Sequence, residues 1–179
     1  MKKRIAAVAV AALAALTVAV SLGAAKTGQR PPAATPSLVE KAIEVNSPGS
    51  PFAGQFDVLL CLVTEYPSIV DALSQKGQYT VFAPTDGAFA SIGLNEGNCK
   101  AFQAANADAV ADILLYHVAT GRRDAEAVTT STQIRMLNGD FAAITSSGGN
   151  YFIDGAQIIV TDVPASNGII HAVDGVLLP

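Results

Sequence analysis

The chain has 179 residues, a formal charge of −4, two cysteines, two histidines and no tryptophan. That length suits one domain. Losing Lys2, Lys3 and Arg4 with a leader takes the charge from −4 to −7, a balance that repels phosphate backbones and anionic polysaccharide and so excludes nucleic acid as a partner.

In chain order, the first feature is a basic start followed by residues 5–25, which are uncharged and rich in Ala, Val and Leu. Gly23-Ala24-Ala25 supplies the small residues at which a signal peptidase cuts, so residues 1–25 read as a signal peptide. An uncleaved leader is the alternative, because roughly 20 apolar residues span a bilayer. Without it the chain has no stable membrane insertion. The expected location is secreted or extracytoplasmic, in the periplasm or at the cell surface. Residues 26–36, with three prolines, read as an extended linker, and residues 37–179 as the domain.

Ser37 with Glu40 three residues on forms a capping box that starts the first helix. Ser47-Pro48-Gly49-Ser50-Pro51 ends it. Residues 56–63 read as a helix carrying Cys61, and residues 68–74 as another. Tyr79-Thr80-Val81-Phe82 is an isolated strand. After Pro84, Thr85 or Asp86 caps a short helix that turns Ala88 and Phe89 inward. Residues 107–116 are the strongest helix, with Val110, Ile113, Leu114 and His117 along one face.

The period then changes. Asn138-Gly139 and Asp154-Gly155 each separate two short β-type runs and read as hairpin turns. Asn167-Gly168 turns into a strand on which His171 faces away from Ile170 and Ala172. Val176-Leu177-Leu178 is expected to close the chain as a last strand. Helices first and strands afterwards define an α+β fold class.

Cys61 and Cys99 are an even pair in an exported chain, which favours a disulfide over two separate buried thiols. No zinc spacing, Walker loop, Gly-x-Ser-x-Gly or calcium loop is present, so no cofactor and no metal is implied. Arg122-Arg123, the one basic pair after the leader, makes no patch.

Three segments in order carry a resemblance. Phe82-Ala83-Pro84-Thr85-Asp86 with Ala88-Phe89, then Tyr116-His117, then Asn167-Gly168-Ile169-Ile170-His171-Ala172-Val173-Asp174 before Val176-Leu177-Leu178-Pro179 together resemble the fasciclin domain, and Ser37-Leu38-Val39-Glu40 is similar to its opening helix. The resemblance implies a wedge of short β-strands flanked by several α-helices. It implies a non-catalytic adhesion or interaction module that binds a protein or a cell-surface or matrix component. It also points to Asp162-Val163, which is similar to an Asp-Ile pair tied to integrin contact in some animal members, and to the Tyr116-His117 corner. Thr85, Asp86, Asn167, Gly168 and His171 are structural positions of the motifs, and His117 is expected to bond Thr85 or Asp86. Two alternatives stand beside this reading. One is a small apolar-ligand or lipid binder of the envelope. The other is an enzyme using His117 or His171, which needs a polar cleft around them.

Overall fold

A computed structural model of the chain describes residues 35–75 and 77–179. The leader and most of the linker lie outside the described residues. The fold is α+β, as the sequence predicts.

The helices come early. Helix α1 (Leu38–Asn46) opens on the capping box of Ser37 and Glu40. Helices α2 (Asp57–Val63) and α3 (Pro67–Ser74) follow it. Strand β1 (Tyr79–Pro84) leads into α4 (Asp86–Ser91), capped by Thr85, whose hydroxyl accepts from the Ala88 N–H. Helices α5 (Cys99–Ala105) and α6 (Ala107–Tyr116) run up to strand β2 (Val118–Thr120). Helix α7 (Ala125–Thr129) precedes β3 (Gln133–Arg135), β4 (Phe141–Ser147), β5 (Asn150–Ile153), β6 (Ala156–Ala165) and β7 (Gly168–Val173).

The strands form one sheet in the order β2-β1-β7-β6-β5-β4-β3. Among the described residues the β1–β7 pairing alone is parallel; the other neighbours are antiparallel. Both expected hairpins form. Asp154 and Gly155 turn β5 into β6 with φ of 46° and 83°, the left-handed pair that a tight two-residue turn requires. The sheet curls until its ends meet, with the Leu137 N–H donating to the Val118 carbonyl at 2.7 Å and Ala119 bridging to Met136.

This curl creates two cores. One lies between the helices and the sheet and includes Leu38, Leu62, Phe89, Val110, Leu114 and Ile170. The other fills the inside of the curl with Phe82, Tyr116, Ile134, Met136, Ile153 and Val173. Strand β7 separates them, so all six of its residues are buried. His171 does face away from Ile170 and Ala172, but both faces are interior.

Residues 176–178 do not form the expected strand. Strand β7 already has β1 on one side and β6 on the other, so no sheet edge is free to pair with them. The segment instead packs irregularly, with Leu177 buried in the inner core.

The two cysteines are bridged. Cys61 on α2 and Cys99 on α5 have Cα atoms 6.5 Å apart and are separated by 38 positions in the chain.

Candidate functional site

The motif residues first pin the fold. Asn167 ties three segments together. Its side-chain carbonyl accepts from the Leu38 N–H at 2.8 Å, and its amide donates to the carbonyls of Leu73 at 2.6 Å and Gln75 at 3.1 Å. Gly168 lies against β1 so closely that a Cβ would sit 2.1 Å from the Tyr79 carbonyl oxygen. Only glycine permits that approach.

Tyr116 and His117 end α6 and point into different cores. The Tyr116 hydroxyl bonds the Asp154 carboxylate and, at 3.3 Å, the Phe141 carbonyl. Burial, and then Asp154, push its ionisation well above the ordinary range. His117 donates from Nδ1 to the Ile113 carbonyl at 2.7 Å and accepts at Nε2 from the Leu177 N–H at 3.0 Å. Burial lowers its pKa to about 4, opposed by the Ile113 carbonyl. The expected bond to Thr85 or Asp86 is not made: Thr85 caps α4, Asp86 accepts the N–H groups at the start of α2, and the Leu177 N–H occupies Nε2. Tyr116 is 4% exposed and His117 3%, so this corner presents neither side chain to a macromolecular partner.

Asp86 serves α2 instead. Phe56, at the N-cap of α2, has no capping side chain. The Asp86 carboxylate accepts the N–H groups of Val58 at 3.0 Å and Asp57 at 3.2 Å, capping that helix from 28 positions away. The sequence signal was a helix whose N-cap position is held by Phe56 and not by Ser, Thr, Asn or Asp. Asp57, Asp86 and Glu96 place carboxylate oxygens within 4.8 Å of one another. A hydrogen bond to Asp57, and then its charge, hold the Glu96 carboxyl above the usual carboxylate range. This cluster was not foreseen from sequence. Its Asp57 and Asp86 oxygens are engaged, by the Asn46 amide and by the start of α2.

The remaining candidate is Asp162. Strand β6 pairs Val160 with Ala172 and Val163 with Ile170, so Thr161 and Asp162 together oppose His171 as a bulge. Asp162 has φ of 60°, in the left-handed region that, glycine aside, short polar residues tolerate best. Two bonds hold it. Its N–H donates to His171 Nδ1 at 3.3 Å, and its Oδ1 accepts from the Ala125 N–H at the start of α7, 2.9 Å away. His171 is itself fixed, donating from Nε2 to the Arg123 carbonyl at 2.9 Å and stacking on Phe82 at a ring distance of 5.6 Å. It is 0% exposed, and burial pushes its pKa down. Asp162 is exposed. Val163 is half-buried against the helix-side core and presents little surface.

The two histidines therefore lie in a sealed interior with both nitrogens of each ring engaged. The polar cleft that an enzyme needs does not surround them. Apolar cavities of about 60 and 90 Å³ lie on either side of a wall made by Leu59, Leu114 and His117.

A bulged sheet curled under a helical layer, with an inner Tyr116-His117 corner and a tightly packed Asn167-Gly168 turn, defines a class of α+β domain. The fasciclin domain family matches residues 54–179, and the chain belongs to it. Protein sll1735 of Synechocystis sp. is 34% identical over 143 residues, covering 80% of this chain and 98% of that protein. Protein sll1483 of the same organism is 39% identical over 112 residues, and the match spans 62% of this chain and 61% of that protein. Among solved structures, the FAS1 domain pair of the insect cell adhesion molecule fasciclin I shares the fold, with a TM-score of 0.63, 18% identity and coverage of 82% of this chain and 52% of that one. Among the described residues no helix is long and apolar enough to cross a membrane.

Proposed function

We propose that this domain is a non-catalytic interaction module that works outside the cytoplasmic membrane and contacts a protein or a cell-surface or matrix component through Asp162 on the β6 bulge, next to Val163. The observation that carries the reading is the rigid display of Asp162. A charged side chain sits exposed on a strained backbone held by a buried histidine and by the start of α7. Strain of this kind costs about 1–3 kcal/mol and persists where surrounding structure enforces it, often at recognition sites. Family membership supports the same reading. Residues 1–25 act as the signal peptide, residues 26–36 as the linker, and residues 37–179 as the exported domain.

The sealed histidines count against the enzymatic alternative. The apolar cavities fall well below the roughly 300 Å³ at which drug-sized ligand pockets begin, so a lipid-binding role is the weaker reading. The test uses the purified domain against envelope and extracellular matrix fractions, with Asp162→Asn as the control. Asparagine tolerates the left-handed φ and keeps the oxygen that α7 needs. A partner retained by the parent and lost by the variant supports the reading. Equal retention moves the contact elsewhere.

A further inference from the structure

The segment between Leu94 and Ala107 is attached to the fold in an unusual way. Of residues 95–106, Cys99 alone is buried; Asn98 and Gln103 are half-buried and the rest exposed. Its other ties to the body are slight. They are a Gln103–Tyr66 hydrogen bond of 3.3 Å, a solvent-facing Lys100–Glu65 pair at 3.8 Å and the Glu96–Asp57 carboxyl contact. Surface pairs of this kind contribute little. The bonds of Asn95 and Asn98 stay within the preceding turn. The disulfide to Cys61 is thus the main anchor of α5.

Beneath this segment lies the cavity of about 90 Å³, walled by Leu59, Leu62, Phe89, Val110 and Leu114. Phe102, 36% exposed, is the α5 side chain that lines it. The N-terminal side of the segment carries Gly93, whose φ of 79° gives a natural pivot.

We propose that residues 95–106 are a lid over this apolar cavity, latched by the Cys61–Cys99 disulfide, and that a dithiol reductant opens the lid while both cores remain folded. Cys61 is the half-buried partner, so it offers the sulfur for attack. A reductant thiolate bonds to Cys61 Sγ and Cys99 leaves as a thiolate, which takes a proton. The second reductant thiol then closes its own disulfide and releases Cys61 as a thiol. Two electrons and two protons pass from the dithiol to the protein. With the latch gone, the remaining ties do not offset the segment's conformational entropy, because it has no other buried side chain.

Hydrogen exchange on the oxidised and dithiol-reduced chain tests this, with thiol labelling to confirm reduction and an apolar-surface dye as a second readout. The expected result is a loss of protection of tenfold or more in α5, roughly the local-opening behaviour of weakly held segments. Strands β1 and β7 should exchange as before, and dye fluorescence should rise. The paired variant Cys61→Ser/Cys99→Ser should match the reduced chain. Unchanged protection in α5 after complete reduction overturns the proposal. So does a parallel loss of protection in β1 and β7, or failure of the reduced chain to stay folded, since the disulfide would then hold the whole domain and not a lid.

Discussion

His117 Nε2 accepts the backbone N–H of Leu177 at 3.0 Å, joining the end of α6 to the last residues of the chain 60 positions later. The opposite nitrogen is committed to Ile113, so the ring acts as a neutral spacer that satisfies one buried donor and one buried acceptor. His117→Ala removes both bonds and leaves a void between the two apolar cavities. We expect a loss of about 1–3 kcal/mol in unfolding free energy, measured by urea titration. His171→Ala is expected to cost a similar amount, because it also frees the Asp162 N–H.

Acid should weaken the fold through the same residues. The unfolded chain protonates His117 near its ordinary 6.5, whereas the folded chain resists until about 4. The contribution is therefore intact above pH 6.5, declines as pH falls from 6.5 to about 4, and changes no further below that. The full decline for this one group is on the order of 3 kcal/mol. His171, also lowered by burial, acts in the same direction. Stability measured in steps from pH 7.5 to 4.5 should fall, and His117→Gln should flatten the slope. An unchanged slope in that variant would contradict the assignment.

Asp86→Ala should shorten or fray α2, since both orphan N–H groups at its start lose their acceptor. The expected cost is roughly 1 kcal/mol, typical of a lost cap. Asp86→Asn keeps one acceptor oxygen and should recover part of it. Thermal melting of the two variants distinguishes capping from a purely electrostatic role.

Gly168→Ala should be far more damaging than its chemistry implies. The added carbon would lie 2.1 Å from the Tyr79 carbonyl oxygen and 2.9 Å from Leu38 Cδ1. Backbone must move, at the first pair of the parallel β1–β7 ladder. We expect a loss of at least about 3 kcal/mol, or insoluble protein, on expression and melting.

Much of this was legible in the sequence because the signals were local. The Ser37–Glu40 capping box, the Asp154-Gly155 turn and the apolar face of α6 each follow from residues within a few positions of one another. The disulfide followed from cysteine count and export. What was not legible depended on distance along the chain. The partner of His117 is Leu177 and not Thr85 or Asp86, because tertiary packing brings the C-terminal segment to the ring while Thr85 and Asp86 cap helices. Residues 176–178 have a strand's composition but no open edge to join. Asp162 was singled out by resemblance. Its positive φ and its bond to α7 come from the bulge, which no local pattern announces. Those contacts also bear on Asp162→Ala. Alanine there loses the Ala125 bond and suffers the left-handed φ, so a fall of about 1–2 kcal/mol is expected.

The central claim is that the Asp162 bulge is the contact surface of an exported interaction module. The most direct measurement is the binding of the parent domain and Asp162→Asn to the same captured envelope or matrix component, with melting temperatures recorded on both. The account predicts at least a tenfold weaker Kd for the variant, about 1.4 kcal/mol, with a melting temperature close to that of the parent. Equal affinity in two equally stable proteins would contradict it.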